Sequence, residues 1–197
     1  MIPLQLATLY REHRSIAAVL KTFDYLVQSM KRDGELVSPQ VFRAILYYLD
    51  VFPERHHHPK EEALLFPVIR ARTHDADVIL DELRRQHERG EAAIRDLEQL
   101  LLRYEAGGDA ERMAFVAGAE AFVRGYWEHM RLEEDQLMPV ALKVLTDQDW
   151  RQIEAAFAQH QDPIEGAEGA LSPEDLIQKI LHLAPAPIGY GPASQKT

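Results

Sequence analysis

The chain has 197 residues, 46% of them apolar and 27% charged, with a formal net charge of −10. That acidic balance argues against nonspecific nucleic-acid binding, which needs clustered Lys and Arg against phosphate, and disfavours an anionic membrane surface. Cysteine is absent, which excludes disulfides, thiolate nucleophiles and thiolate-held zinc or iron–sulfur centres, so a metal would have to be held by His, Asp or Glu.

The opening MIPLQLATLYREH has no basic region followed by an apolar run, so no signal peptide is expected. No window is apolar for the length a bilayer requires, and the expected location is cytoplasmic. The first predicted helix covers about 4–31, with Leu6, Tyr10, Ile16, Leu20, Phe23 and Val27 on one stripe and His13 on the same stripe. KRDGELVSP breaks it, and Ser38 followed by Pro39 signals the next helix start. That second helix carries Phe42, Ile45, Leu49 and Phe52 and continues to about residue 72. Pro53 and Pro59 lie inside it and predict a bend or a change of hydrogen bonding.

The third helix, about 75–105, has the cleanest stripe: Leu80, Leu83, His87, Gly90, Ile94, Leu97 and Leu101. Gly107 and Gly108 stop it. The fourth, about 110–144, aligns Phe115, Ala119, Phe122, Tyr126, His129 and Leu137. Four long helices with short connections predict an all-α fold, an antiparallel up-down-up-down four-helix bundle over residues 1–145. Residues 146–197 read as a C-terminal extension: a helix at about 149–161, a second opened by SPEDL at Ser172, and a Pro- and Gly-rich tail. The tail is open to packing along the bundle or at a homodimer contact.

One pattern occurs twice. HHPKEEALLFPV begins at His57 and HMRLEEDQLMPV begins at His129. His57 matches His129, Glu61 matches Glu133, Glu62 matches Glu134 and Pro67 matches Pro139. Residues four apart share a helix face, so His57 with Glu61, and His129 with Glu133, each aim an imidazole and a carboxylate at one spot. A single such pair is weak evidence, because a surface hydrogen bond produces it too. Two matched pairs, with one lone histidine each from the first and third helices (His13 and His87), bring four histidines and two glutamates together from four helices. Burying them is costly unless they are paired or bind metal. Two ions bridged by both glutamates offset that cost, and imidazole with carboxylate favours iron over zinc and manganese. Glu62 and Glu134 have humbler readings, at helix contacts or orienting a ligand imidazole. His56 and His58 have no counterpart in the second copy and are expected to face outward or line the mouth. His74, His160 and His182 are expected at the surface, and Trp127 is expected to point away from the site.

His13, His57-x-x-x-Glu61, His87 and His129-x-x-x-Glu133, with the phrases KEEALLFP and LEEDQLMP, resemble the hemerythrin-like HHE cation-binding domain family over roughly residues 4–145. The resemblance implies a non-haem di-iron centre, two Fe ions cycling between Fe2+ and Fe3+ with a bridging oxo, hydroxo or water. It implies His13, His57, His87 and His129 as terminal ligands and Glu61 and Glu133 as bridges. The oxygen-carrying members place a second histidine one turn from the one on the third helix. Here Glu91 and Leu83 stand at those positions, so the chain is similar to the four-histidine, two-glutamate type. That type implies binding of, and reaction with, O2, peroxide or NO, with electrons from a donor the sequence does not identify. Iron storage or delivery, iron–sulfur-cluster repair, and O2 or NO sensing without turnover are the alternatives. Tyr10 and Tyr126, each about one turn before a ligand histidine, are candidates to place a hydroxyl near an open coordination position. Gly90 interrupts a row of large core residues and predicts a close helix approach or a channel.

Overall fold

The computed structural model describes residues 2–159 and 171–196; His160 lies outside the described residues. Helix α1 spans Leu4–Asp33 and ends at Gly34, whose φ of 64° is the left-handed conformation that glycine adopts without steric cost. A two-residue strand, β1 (Glu35–Leu36), follows. Helix α2 covers 39–72 and is not uniform. An α-helical start at Pro39–Leu49 gives way to a π-helical stretch at Asp50–His57, an α turn at His58–Lys60, a second π turn at Glu61–Leu65 and an α-helical end at Phe66–Arg72. Helix α3 is Asp77–Ala106. Helix α4 covers 109–144, with a π turn at Glu133–Leu137 between Asp109–Leu132 and Met138–Val144. Helices α5 (Asp147–Gln159) and α6 (Pro173–Leu183) and strand β2 (Gln195–Lys196), antiparallel to β1, complete the described chain.

The four long helices form a ring in which α1 packs on α2 and α4, and α3 packs on α2 and α4. The short links at 34–38, 73–76 and 107–108 make sequential helices antiparallel, as the bundle expectation requires. Two apolar clusters fill the interior. The larger joins Ile16, Phe23, Phe42, Ile94, Leu97, Phe115 and their neighbours; the smaller joins Leu6, Leu9, Leu65, Ile69, Leu80, Leu83 and Leu137. Along every long helix the residues between the two clusters are polar: His13 on α1, His56 to Glu61 on α2, His87 on α3, and His129 and Glu133 on α4. A polar layer therefore cuts across an otherwise apolar core.

The extension packs on this bundle. Trp150 and Ile153 of α5 enter the smaller cluster, and Leu176 and Ile180 of α6 enter the larger. Arg72, at the end of α2, donates twice to Asp149, from Nε at 2.9 Å and Nη2 at 2.7 Å. The N–H and hydroxyl of Thr146 donate to the same carboxylate. Ser172 and Asp175 form a reciprocal capping box at the start of α6. Among the described residues no helix is long and apolar enough to cross a membrane.

Phe115 anchors the larger cluster, fully buried, with its ring centroid 4.9 Å from that of Phe42 and 5.8 Å from that of Tyr104. Truncation to alanine removes this burial and leaves a cavity. Phe115→Ala is expected to lower stability by about 3–5 kcal/mol, measured as a drop in the urea midpoint at unchanged slope.

Candidate metal centre

The three π turns share a local cause. The N–H of His58 donates to the carbonyl of Pro53, that of Phe66 to Glu61 and that of Met138 to Glu133, each reaching back five residues. A proline in an α-helix has no N–H to donate, and its ring collides with the carbonyl four residues earlier. Pro67 and Pro139 follow the second and third π turns, and one extra residue in the turn relieves that collision. Both copies of the sequence repeat therefore place their glutamate at the first position of a π turn.

The wider turn rotates less per residue than an α-helix, so sequence neighbours diverge less in direction. This corrects the expectation for His56 and His58. All three histidines are buried, His56 at 8% exposure, His57 at 1% and His58 at 4%. His56 stacks on Phe52 and accepts from the ammonium of Lys60. His58 enters the centre of the bundle, its ring centroid 4.0 Å from that of His87 and 5.1 Å from that of His129.

Side chains that could hold metal fall into two adjoining groups. His13, His57, Glu61 and Glu133 form one; His58, His87 and His129 form the other; in each group the donor atoms lie within 4.8 Å of one another. The carboxylates face both groups. Glu61 sets Oε1 3.5 Å from His57 Nε2 and Oε2 3.8 Å from His87 Nε2. Glu133 sets Oε2 3.1 Å from His13 Nε2 and 3.5 Å from His129 Nε2, and Oε1 3.9 Å from His87 Nε2. The structure thus brings together all six residues singled out in the sequence and adds a fifth imidazole, that of His58 on α2, to the four the resemblance implies. Glu91 takes no part: it is exposed and faces Arg95 at 3.7 Å.

Each of the five imidazoles has a side-chain oxygen on Nδ1. His13 donates to Glu134 at 2.8 Å, His57 to Glu12 at 2.7 Å, His58 to Glu54 at 3.1 Å, His87 to Glu62 at 2.7 Å and His129 to Gln86 at 3.1 Å. Such outer contacts fix the tautomer and the ring orientation, leaving Nε2 free to ligate. Lys60 donates to the other oxygen of Glu12 at 2.9 Å. Glu12, Glu54 and Gln86 escaped the sequence reading. Glu54 stands four residues before His58, the one spacing that could have marked it; Glu12 and Gln86 merely precede His13 and His87 in sequence.

Of the two tyrosines, Tyr126 is buried, with its hydroxyl 3.3 Å from His58 Nε2. Tyr10 is half-buried against the smaller apolar cluster, and its hydroxyl makes no hydrogen bond to the centre among the described residues. Burial, then the charges of Glu134 and Asp135, push its phenol above the ordinary range. Trp127 packs partly buried on the larger cluster. His74 and His182 are exposed.

Burial dominates the electrostatics. It pushes His58 well below the ordinary imidazole value, helped by His87 and His129, and brings His129 down to about 4. It lowers His57 as well, against the hydrogen bond to Glu12. Burial also drives Glu61 well above the ordinary carboxylate range, with Glu133 adding to the effect. Burial works against Glu133 too, but His129 and His13 hold that carboxyl well down. Desolvation opposes the charged form of His13, yet Glu133 and Glu134 keep it up at about 9. The lowered values of His57, His58 and His129 favour neutral imidazoles beside the Glu133 carboxylate, and a cation would take the place of the proton on His13.

The donor atoms fit that reading. Among the described residues Glu61 Oε2, His87 Nε2, His129 Nε2 and Glu133 Oε1 are buried without a hydrogen-bond partner. Buried polar atoms are normally satisfied, and leaving one unmade costs about 1–3 kcal/mol. A cation against each group would satisfy them together. The sequence profile of the hemerythrin HHE cation-binding domain matches residues 4–141, from α1 almost to the end of α4. Comparison with curated proteins finds no match.

Proposed function

Because the chain belongs to the hemerythrin HHE cation-binding domain family, we propose that it is a non-haem di-iron protein that binds and reacts with O2, peroxide or NO. His13 and His57 would hold one iron, His58, His87 and His129 the other, with Glu61 and Glu133 between them. When bound, a pair of irons supplies two-electron chemistry and open coordination for a small ligand. The observation that carries the reading is the division of each carboxylate between the two histidine groups, with Glu61 turning one oxygen to His57 and the other to His87.

The remaining residues have defined tasks. Glu134, Glu12, Glu54, Glu62 and Gln86 orient the imidazoles through Nδ1. His57, and after it Lys60, hold Glu12 in its anionic form and keep that carboxyl down at about 2 in spite of burial. The apolar clusters on either side exclude water from the layer. The Tyr126 hydroxyl, 3.3 Å from His58 Nε2, would stand beside the three-histidine iron, away from the more open position.

With both glutamates shared, the three-histidine side would have one more protein donor than the two-histidine side. This asymmetry favours the two-histidine side as the iron with more open coordination and supports reaction over storage. Protein from iron-supplemented growth is expected to carry roughly two irons per chain. Stopped-flow mixing of its diferrous form with O2, peroxide and NO is expected to give a rapid spectral change with at least one. Iron-free protein from such growth, or inertness to all three, would overturn the proposal.

A further inference from the structure

A cleft of about 680 Å3 runs between α3 and α4. Small residues hollow it out: Gly90 and Ala93 on α3, and Gly118, Ala121 and Gly125 on α4. Their spacing keeps each set on one face of its helix. Glycine weakens a helix interior, so three around one cleft require a reason. Close packing supplies it at Gly118, where a Cβ would come within 2.7 Å of Leu100, and at Gly90, where it would come within 2.9 Å of Glu54 Oε1. At Gly125 a Cβ would meet nothing within 4 Å, so that glycine leaves the cleft open.

The inner end of the cleft is polar and one-sided. His58, His87, His129 and Tyr126 line it, whereas His13, His57, Glu61 and Glu133 do not. Glu54 also reaches it, with a side chain only 2% exposed. One oxygen of Glu54 takes the His58 N–H; the other, Oε1, is buried without a hydrogen-bond partner among the described residues. At the outer rim Glu82, Asp96 and Glu128 outnumber Arg89.

We propose that this cleft binds a neutral, mainly apolar small molecule with one O–H head, an alcohol, phenol or hydroperoxide, whose head hydrogen-bonds Glu54 Oε1 beside His58. The inference rests on the di-iron reading only for what lies next to the head. The volume is that of a site for a small organic molecule, far beyond what a diatomic fills. Apolar walls stabilise a hydrocarbon body by removing it from water. A hydroxyl both donates and accepts, so it satisfies Oε1 whether or not that oxygen carries a proton. The acidic rim disfavours an anion. Desolvation disfavours an ammonium head, and so does a cation held by the neighbouring histidines.

Hexanol, hexylamine and hexanoate share a chain and differ in the head. Each is titrated calorimetrically into iron-loaded and metal-free protein. Hexanol is expected to bind both forms, and the amine and the carboxylate to bind more weakly or not at all. Gly125→Leu places a side chain in the open part of the cleft and is expected to weaken hexanol about tenfold, the equivalent of roughly two buried methylene groups, with iron content unchanged. Absence of hexanol binding, hexanoate or hexylamine binding as tightly as hexanol, or an unchanged hexanol affinity in Gly125→Leu would each overturn the proposal. Iron content separates the two readings. Iron-loaded protein that ignores hexanol defeats the cleft assignment alone; hexanol binding to a chain that never takes up iron defeats the di-iron reading alone.

Discussion

Glu133→Ala is expected to remove both irons, taking the content from roughly two per chain to near none. The side chain is fully buried, and it reaches both groups: Oε2 faces His13 of one and His129 of the other, and Oε1 faces His87. On the proposed arrangement, losing it takes a carboxylate from both positions and strands His13, whose elevated value depends on Glu133. Glu61→Ala is expected to act alike, because Glu61 also divides its oxygens between the groups. Glu133→Gln keeps the volume and removes only the charge, so a metal loss shared by the alanine and glutamine variants cannot be ascribed to lost packing. Elemental analysis of each variant, with circular dichroism to confirm the helices, makes the measurement. Retention of one iron in Glu133→Ala would sink the bridging assignment.

His58→Ala is expected to halve the iron content, from roughly two per chain to about one, by emptying the three-histidine side. The nearby substitution His56→Ala is the internal control and is expected to keep both irons. The two imidazoles flank His57 and are both buried, so burial does not distinguish them. Direction does. His58 stacks on His87 and lies edge-on to His129, whereas His56 lies against Phe52 and Lys60. Mössbauer spectra of protein enriched in the iron isotope are expected to pass from a coupled pair to a single mononuclear site in His58→Ala. A coupled pair surviving in that variant would exclude His58 from the centre.

Much of this architecture is legible in the chain before folding. The apolar stripes of α1 and α3 follow the regular helical step from end to end, so His13 and His87 could be placed on inward faces from spacing alone. Their isolation among Leu and Ile residues marked them as unusual. Pro53 and Pro59 announced a disturbance in α2, and a π-helical stretch stands there. Gly90 announced either a close approach or a channel, and it serves both: Glu54 lies against it and the cleft passes it.

Of the expectation that His56 and His58 face outward or line the mouth, the outward part failed for a physical reason, while His58 lines the inner end of the cleft. Periodicity assigns a direction by assuming a constant rotation per residue, and α2 departs from that rotation twice within sixteen residues, at Asp50–His57 and at Glu61–Leu65. The internal repeat misled in the same direction. It marked the histidine common to both copies and so discounted His58, which has no equivalent in α4.

By itself the sequence determined four amphipathic helices, the echo of His-x-x-x-Glu on the second and fourth, and a cysteine-free donor set, because these depend on residue type and on regular spacing within one helix. Tertiary structure alone decided that His58 turns inward, that Glu12, Glu54 and Gln86 take the outer nitrogens of imidazoles, and that a cleft reaches only one side of the polar layer. Those features are set by the local unwinding of α2 and by contacts between helices, and no spacing along one chain segment encodes how two helices approach each other.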